Sequence, residues 1–273
     1  MERLEKLLLE DLKALGLSLP ETAPAALLRY LDMVLETNKT MNLTSITDPE
    51  EAVHKHLVDS LSALLLKDLA AQAAYHAEAA SAAKADGPLW VDVGSGAGFP
   101  GFPLALAVPQ AKLHLVESTG KKANFLNTAA AQLGLLKQIE VHNSRAETLA
   151  PIGPDLRSAK AVSRETSSAK NLRGQADAVF FRGVSRLAAL AELGAPLLKL
   201  GGLVIAYKGP KAGEELVEAA KAMKELKMEL AERKDFVLPG TSDGRVLLCL
   251  KKVGETPKRF PRLVGLAQKE PLL

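Results

Sequence analysis

Short apolar runs alternate with helix-patterned segments from Leu89 to Leu250, and this alternation is what most narrows the folds open to the chain. The runs are 89–93, 112–117, 139–142, 177–181, 203–208 and 246–250. Helices are expected between them at 103–108, 121–133, 184–198 and 213–227. Strands joined by crossover helices stack into a mostly parallel sheet with helices on both faces, an α/β fold. The tight return from Leu238 to Gly244 sends the last run back antiparallel at the sheet edge. Charges between Glu214 and Lys234 read as the solvated face of a helix with mutual ion pairs. Residues 150–176, rich in Ser, Ala, Lys and Arg without a period, read as an insertion or loop.

The chain before this region is helical. Leu4, Leu7, Leu8, Leu12 and Leu15 form an apolar stripe that Gly16 ends. A second helix after Pro24 carries Leu27, Leu28, Leu31, Val34 and Leu35 on one side. Asp48 and Pro49 open a third, which turns Val53, Leu57, Leu61 and Leu64 inward. The expected organisation is a helical extension over 1–68, an Ala-rich peripheral helix or linker over 69–88, the sheet domain over 89–253 and a basic tail over 254–273.

The segment VDVGSGAGFPG (91–101) follows the first apolar run. Glycines there let the backbone turn sharply and approach a ligand at the carboxyl edge of the sheet. Read from Gly96, the segment is the GxGxxG of dinucleotide sites; read from Asp92, it is the Asp-x-Gly-x-Gly-x-Gly of class I S-adenosylmethionine-dependent methyltransferases. Asp92 favours the second. A carboxylate one residue before the strand's end is a poor neighbour for a pyrophosphate, and a good one for a cationic amino-acid group and a sulfonium. Glu117, at the end of the second run, suits a ribose diol in either case. A glycine turn with no ligand is the third alternative.

Composition bounds the setting. The apolar and charged fractions, 47% and 25%, are those of an ordinary globular protein, and no run approaches the ~18 apolar residues of a membrane span. The N-terminus lacks a secretory signal's basic-then-apolar order, so a cytoplasmic protein without a membrane partner is expected, and as a monomer. The single cysteine, Cys249, excludes an internal disulfide and reads as a buried thiol. The formal charge is only +3, yet residues 251–273 hold six cations against two carboxylates, with three prolines. Such a tail either traces a phosphate backbone or is simply solvated. Aromatic residues are too scarce, at 4%, for an RNA-recognition-motif platform.

The segment NKTMNLTSITDPEEAVHKHLVDSL (38–61), with the glycine loop, RAE (145–147), YKG (207–209) and the ending TPKRFPRLVGLAQKEPLL, resembles the bacterial 16S ribosomal RNA guanine-7 methyltransferases, the glucose-inhibited division protein B family. The resemblance covers roughly residues 25–270. It implies a class I methyltransferase (Rossmann-like) sheet with an N-terminal helical extension, S-adenosylmethionine as cofactor, and 16S ribosomal RNA or the small ribosomal subunit as partner. Carried over by position, it implies that Gly94 and Phe99 frame the methionine and adenosine, and Gly96 is the loop glycine where backbone should approach the cofactor. Glu117, Ser118 and Thr119 would meet the ribose and adenine edge, and Ala146 and Glu147 would border the adenine. Arg182 matches the arginine of the family's Ser-Arg-Ala, although Phe181-Arg182-Gly183 departs from it; Arg164 in Ser163-Arg164 is the rival placement. The 150–176 insertion is longer than the family norm.

The implied chemistry needs no strong general base, because guanine nitrogen-7 has a free in-plane lone pair. No catalytic base is therefore assigned, and no metal site is expected. His54 and His56, two apart, point to different sides of a helix. His56 either faces the RNA or cofactor pocket or packs against Asp59; Asn42 is a turn residue or a base contact; Lys208 is a phosphate-contact candidate. His76, His114 and His142 read as ordinary surface or strand positions. Two other functions stay open: a methyltransferase acting on another RNA or a small molecule, and a non-catalytic RNA-binding factor on the same fold.

Overall fold

The computed structural model describes residues 2–81, 87–151 and 170–273. The sheet has seven strands in the order β3-β2-β1-β4-β5-β7-β6. These are β1 (Leu89–Val93), β2 (Lys112–Val116), β3 (Ile139–His142), β4 (Ala176–Arg182), β5 (Leu198–Lys208), β6 (Met228–Val237) and β7 (Gly244–Lys252). The first five strands pair in parallel and β7 pairs antiparallel with both β5 and β6. This is the class I methyltransferase sheet, with helices on both faces as expected.

Alternation along each strand divides the core. Trp90, Leu113, Leu115, Ala178, Phe180, Ile205 and Cys249 face the N-terminal helices α1 (Glu2–Ala14) and α2 (Ala23–Asn38) together with α6 (Gly101–Ala107) and α7 (Gly120–Gln132). Val91, Val93, Val116, Val179, Phe181, Val204 and Leu248 face α8 (Leu187–Gly194) and α10 (Ala220–Leu226). Burial raises the Cys249 thiol to about 12, so it is an inert core group.

Three local expectations change. The charged stretch after Lys224 is not helix throughout: α10 ends at Leu226, Lys227 takes a left-handed conformation (φ 59°), and β6 begins at Met228. Charges such as Glu229, Arg233 and Asp235 instead decorate an edge strand, where they oppose pairing with another sheet. The helix expected at 213–227 is two short pieces, α9 (Ala212–Glu218) and α10. The third N-terminal helix is also interrupted: α3 (Pro49–Ala52) and α4 (Asp59–Leu61) flank a π-helical turn, Val53–Val58. Its inward residues Val53, Leu57 and Leu61 are fully buried as expected. The Ala-rich segment forms α5 (Lys67–Ser81) as far as residue 81, and 82–86 lie outside the described residues. Most of the 150–176 insertion, with the rival Arg164, lies outside the described residues.

The basic C-terminal segment is packed rather than trailing. Lys252 buries its ammonium on the carbonyls of Ala195 and Leu198, 3.0 and 2.8 Å away. Lys251 pairs with Asp68 and Arg259 with Glu225. Phe260 is buried against the α8 side of the sheet, and Arg173 donates to its carbonyl at 2.8 Å. Arg262 forks onto the fully buried Glu192 of α8, with Nε 2.9 Å from Oε1 and Nη2 2.7 Å from Oε2. A free tail is thereby corrected: among the described residues, four of the six cations of 251–273 have protein partners.

Removing one partner of such a pair leaves an unpaired charge in the core. Arg262→Met is expected to lower stability by about 3 kcal/mol, read from the urea midpoint at constant m-value. Lys258→Met, a change on the same segment away from the Glu192 pair, is the control and should be near neutral.

Candidate cofactor site

The site lies at the carboxyl ends of β1, β2 and β4. Gly94, Gly96 and Gly98 all have positive φ (75°, 56° and 83°), a conformation that other residues adopt only with strain. Gly94 and Ser95 donate to the carbonyl of Val116, which fastens the loop to β2. Two glycines of the loop serve packing. A Cβ on Gly98 would lie 2.1 Å from the Tyr30 hydroxyl, and one on Gly101 would lie 2.3 Å from Leu115 and 2.8 Å from Asp92. Gly96 differs: its missing Cβ points into open space, with Gly94 O the nearest atom at 3.8 Å.

Glu117 ties the loop to the next strand. Its Oε2 accepts from Gly96 N at 2.9 Å and its Oε1 from Thr119 N at 2.7 Å. Each oxygen keeps a lone pair for a diol. Ser118 and Thr119 are exposed beside it, and Thr119 precedes the first turn of α7. Ala146 is buried in a short 3-10 turn (Ala146–Leu149) after β3. Glu147, in the same turn, accepts from Gly265 N at 2.8 Å, so the C-terminal segment docks beside this wall of the site.

Asp92 is buried and its Oδ2 accepts from Gly101 N at 3.0 Å, while Oδ1 has no partner. Burial pushes its carboxyl up to about 7, against a smaller pull from the Gly101 amide, Ser95 and Arg182. A buried acceptor left over beside an open glycine turn fits a cofactor with a cationic end, which would favour the ionised form.

The helical extension closes one side. Tyr30 of α2 donates to the carbonyl of Ala97 and stacks on Phe102, with centroids 4.2 Å apart. His56, from the π-helical turn, stacks on Phe99 (4.5 Å, 11°), and the Arg182 guanidinium lies 5.9 Å from the same ring. Arg182 Nε is 2.8 Å from Asp59 Oδ2, and its Nη2 reaches the carbonyl of Lys55 and His56 Nδ1. His56 Nδ1 therefore accepts, and Nε2–H donates to Thr44 Oγ1 at 2.7 Å. Burial first, and then the Arg182 charge, hold His56 neutral, down to about 3.

The structure thus gathers Gly94, Gly96, Phe99, Glu117, Ser118, Thr119, Ala146, Glu147, His56 and Arg182 around one strand edge. Asn42 is exposed on the 38–48 loop, whose shape is set by Asn38: its Oδ1 receives the amides of Leu43 and Thr44. Lys208 is committed elsewhere, with Nζ 2.6 Å from Ser185 O and 2.7 Å from Glu215 Oε2, which assigns it a structural role. His56 does not bond Asp59; Arg182 and Arg245 take that carboxylate. Tyr30, Thr44 and Arg245 were not legible as site residues, because their partners lie far along the chain.

Comparison with known proteins agrees with this geometry. The family model for rRNA small subunit methyltransferase G (GidB) matches residues 24–238. The chain is 38% identical over 265 residues to a ribosomal RNA small subunit methyltransferase G of Lachnoclostridium phytofermentans, covering 97% of this chain and 96% of that one. It is 37% identical over 272 residues to the protein of the same name from Pelotomaculum thermopropionicum, covering 100% of each.

The raised carboxyl of Asp92 has a signed consequence for stability. A buried acid whose folded-state value lies above its unfolded value contributes stability at low pH, which is lost as pH rises from about 4 through about 7. In the absence of ligand, Asp92→Asn should flatten that decline by up to a few kcal/mol, seen in urea melts at pH 5 and pH 8. A parallel pH dependence in the two proteins would show that Asp92 stays ionised.

Proposed function

The chain belongs to the rRNA small subunit methyltransferase G family, and we propose that it moves the methyl group of S-adenosylmethionine onto nitrogen-7 of a guanosine in 16S ribosomal RNA. The observation that carries the cofactor half is the glycine turn at Gly96, where a Cβ would meet only Gly94 O within 4 Å, tied to Glu117 and followed at Gly101 by the buried Asp92 carboxylate, whose Oδ1 is unpartnered. When bound, S-adenosylmethionine supplies a methyl carbon made electrophilic by its sulfonium.

The residues in hand serve orientation. Gly94 and Gly96 let backbone approach the methionine end, and Asp92 balances its positive charge. Glu117 accepts from the ribose hydroxyls, with Ser118 and Thr119 beside it and Ala146 walling the adenine. Glu147 contributes through its turn, since its carboxylate is held by Gly265. Phe99 and His56 form a flat apolar wall, and Arg182 is fixed at its edge by Asp59. Asn42, exposed on the adjoining loop, is available to the RNA.

Held by Gly94, Gly96, Asp92 and Glu117, the cofactor would supply the methyl carbon and keep the carbon–sulfur electrons, while nitrogen-7 would offer its in-plane lone pair. No proton leaves the attacking atom, so the site needs alignment more than a base. His56 agrees with this division of labour: held neutral and engaged at both nitrogens, it is a poor base and a good packing surface.

Gly96→Val would place a branched side chain in the open turn and should weaken S-adenosylmethionine binding by about tenfold, ~1.4 kcal/mol, in calorimetry on folded protein. Incubated with small subunits or 16S ribosomal RNA and labelled cofactor, the protein should form 7-methylguanine, detected by reductive aniline cleavage at the modified position. A product methylated on an exocyclic amine or a ribose hydroxyl would overturn the acceptor assignment and leave the cofactor reading standing.

A further inference from the structure

The β3 edge of the sheet brings together three side chains that the methyl-transfer site does not use. His114 lies on β2; Glu140 and His142 lie on β3, in a parallel register that sets His114 beside Glu140 and Val116 beside His142. Alternation turns all three to the sheet face on which Val116 packs, the face of α8. His114 Nδ1 is 2.7 Å from His142 Nε2, and both rings are buried. Glu140 reaches between them, with Oε2 3.8 Å from His114 Nδ1 and Oε1 3.7 Å from His142 Nε2.

Those carboxylate distances are too long for hydrogen bonds to either ring. One imidazole donates to the other at 2.7 Å, the acceptor's lone pair is taken by that bond, and a carboxylate stands by. A cation between the three donors would take the place of that proton. Ligand atoms 2.0–2.1 Å from a tetrahedral zinc stand about 3.3 Å apart, so each observed separation differs from that by about half an ångström.

We propose that His114 Nδ1, His142 Nε2 and the Glu140 carboxylate form a binding site for a divalent transition metal of the zinc class. Two imidazoles and a carboxylate are a donor set for such ions rather than for magnesium or calcium. A competing cation is already in place: Lys170 Nζ lies 3.0 Å from Glu140 Oε2 and must give way. The role is structural, a clip across β2 and β3. It reaches the cofactor side through the backbone, because the His142 carbonyl receives the amides of Glu117 and Ser144. The proposal is independent of the methyl-transfer reading.

The test uses EDTA-stripped full-length protein and zinc sulfate alone, without RNA or methyl donor. Calorimetry is expected to show one zinc per chain, and cobalt(II) in its place should give the visible bands of a low-coordinate nitrogen–oxygen site. His142→Ala and Glu140→Gln should each weaken binding by about tenfold or more. Lys170→Met, which removes the competing ammonium, should tighten it several-fold. His142 is buried and its variant can fail to fold, so the half-exposed positions Glu140 and Lys170 carry the test by themselves. Absence of stoichiometric binding in the micromolar range, or binding that neither Glu140→Gln nor Lys170→Met changes, overturns the site.

Discussion

The carboxylate of Asp59 is the joint on which the two halves of the molecule meet. It is buried, and it takes Arg182 from the end of β4 on one oxygen and Arg245 from the start of β7 on the other. A carboxylate so placed fixes the position of the π-helical turn just before it. That turn carries His56 to the face of Phe99 and offers the Lys55 carbonyl to Arg182. Buried ion pairs add little net stability against an apolar substitute, but they reject misplaced partners strongly. Here they set which residue of the extension stands over the cofactor loop.

The glycine loop divides its labour along its length. Gly98 and Gly101 yield space to the protein, admitting the Tyr30 hydroxyl, Leu115 and Asp92. A Cβ on Gly94 would lie 3.0 Å from Val184, so Gly96 alone yields its space to the strand edge, held in place through Glu117. The extension is therefore part of the site. Tyr30 reaches the loop backbone at Ala97 and could not do so past a larger residue at 98.

The sheet, the glycine loop and Glu117 were legible because each depends on neighbours close in sequence: short apolar runs buried on both faces, a strand followed by glycines, an acid at a strand's end. Arg182 was legible by resemblance, but its grip on Asp59 spans 123 residues and no local pattern encodes it. Lys208 and the C-terminal cations looked available because sequence shows charge and not its partner; Glu215 and Glu192 supply the partners. β6 was read as helix because an exposed edge strand with charges on both faces loses the alternation by which strands are recognised. His114 and His142 looked ordinary because the strand register, absent from the sequence, is what makes them neighbours.

The Glu192–Arg262 pair bears on the order in which the chain can finish folding. As the polypeptide is synthesised, Glu192 emerges 70 residues before the guanidinium that neutralises it. Until then α8 can settle on β4 and β5 only by burying that carboxyl without its partner, and whether bare or neutralised by a proton it lacks the fork that Arg262 supplies. The methyltransferase sheet therefore waits for its last segment. A chain stopped short of Arg262 would have every strand and still lack the contact that lets one face of the sheet close. Its unfinished α8 surface would be left for the cell's proteases to find.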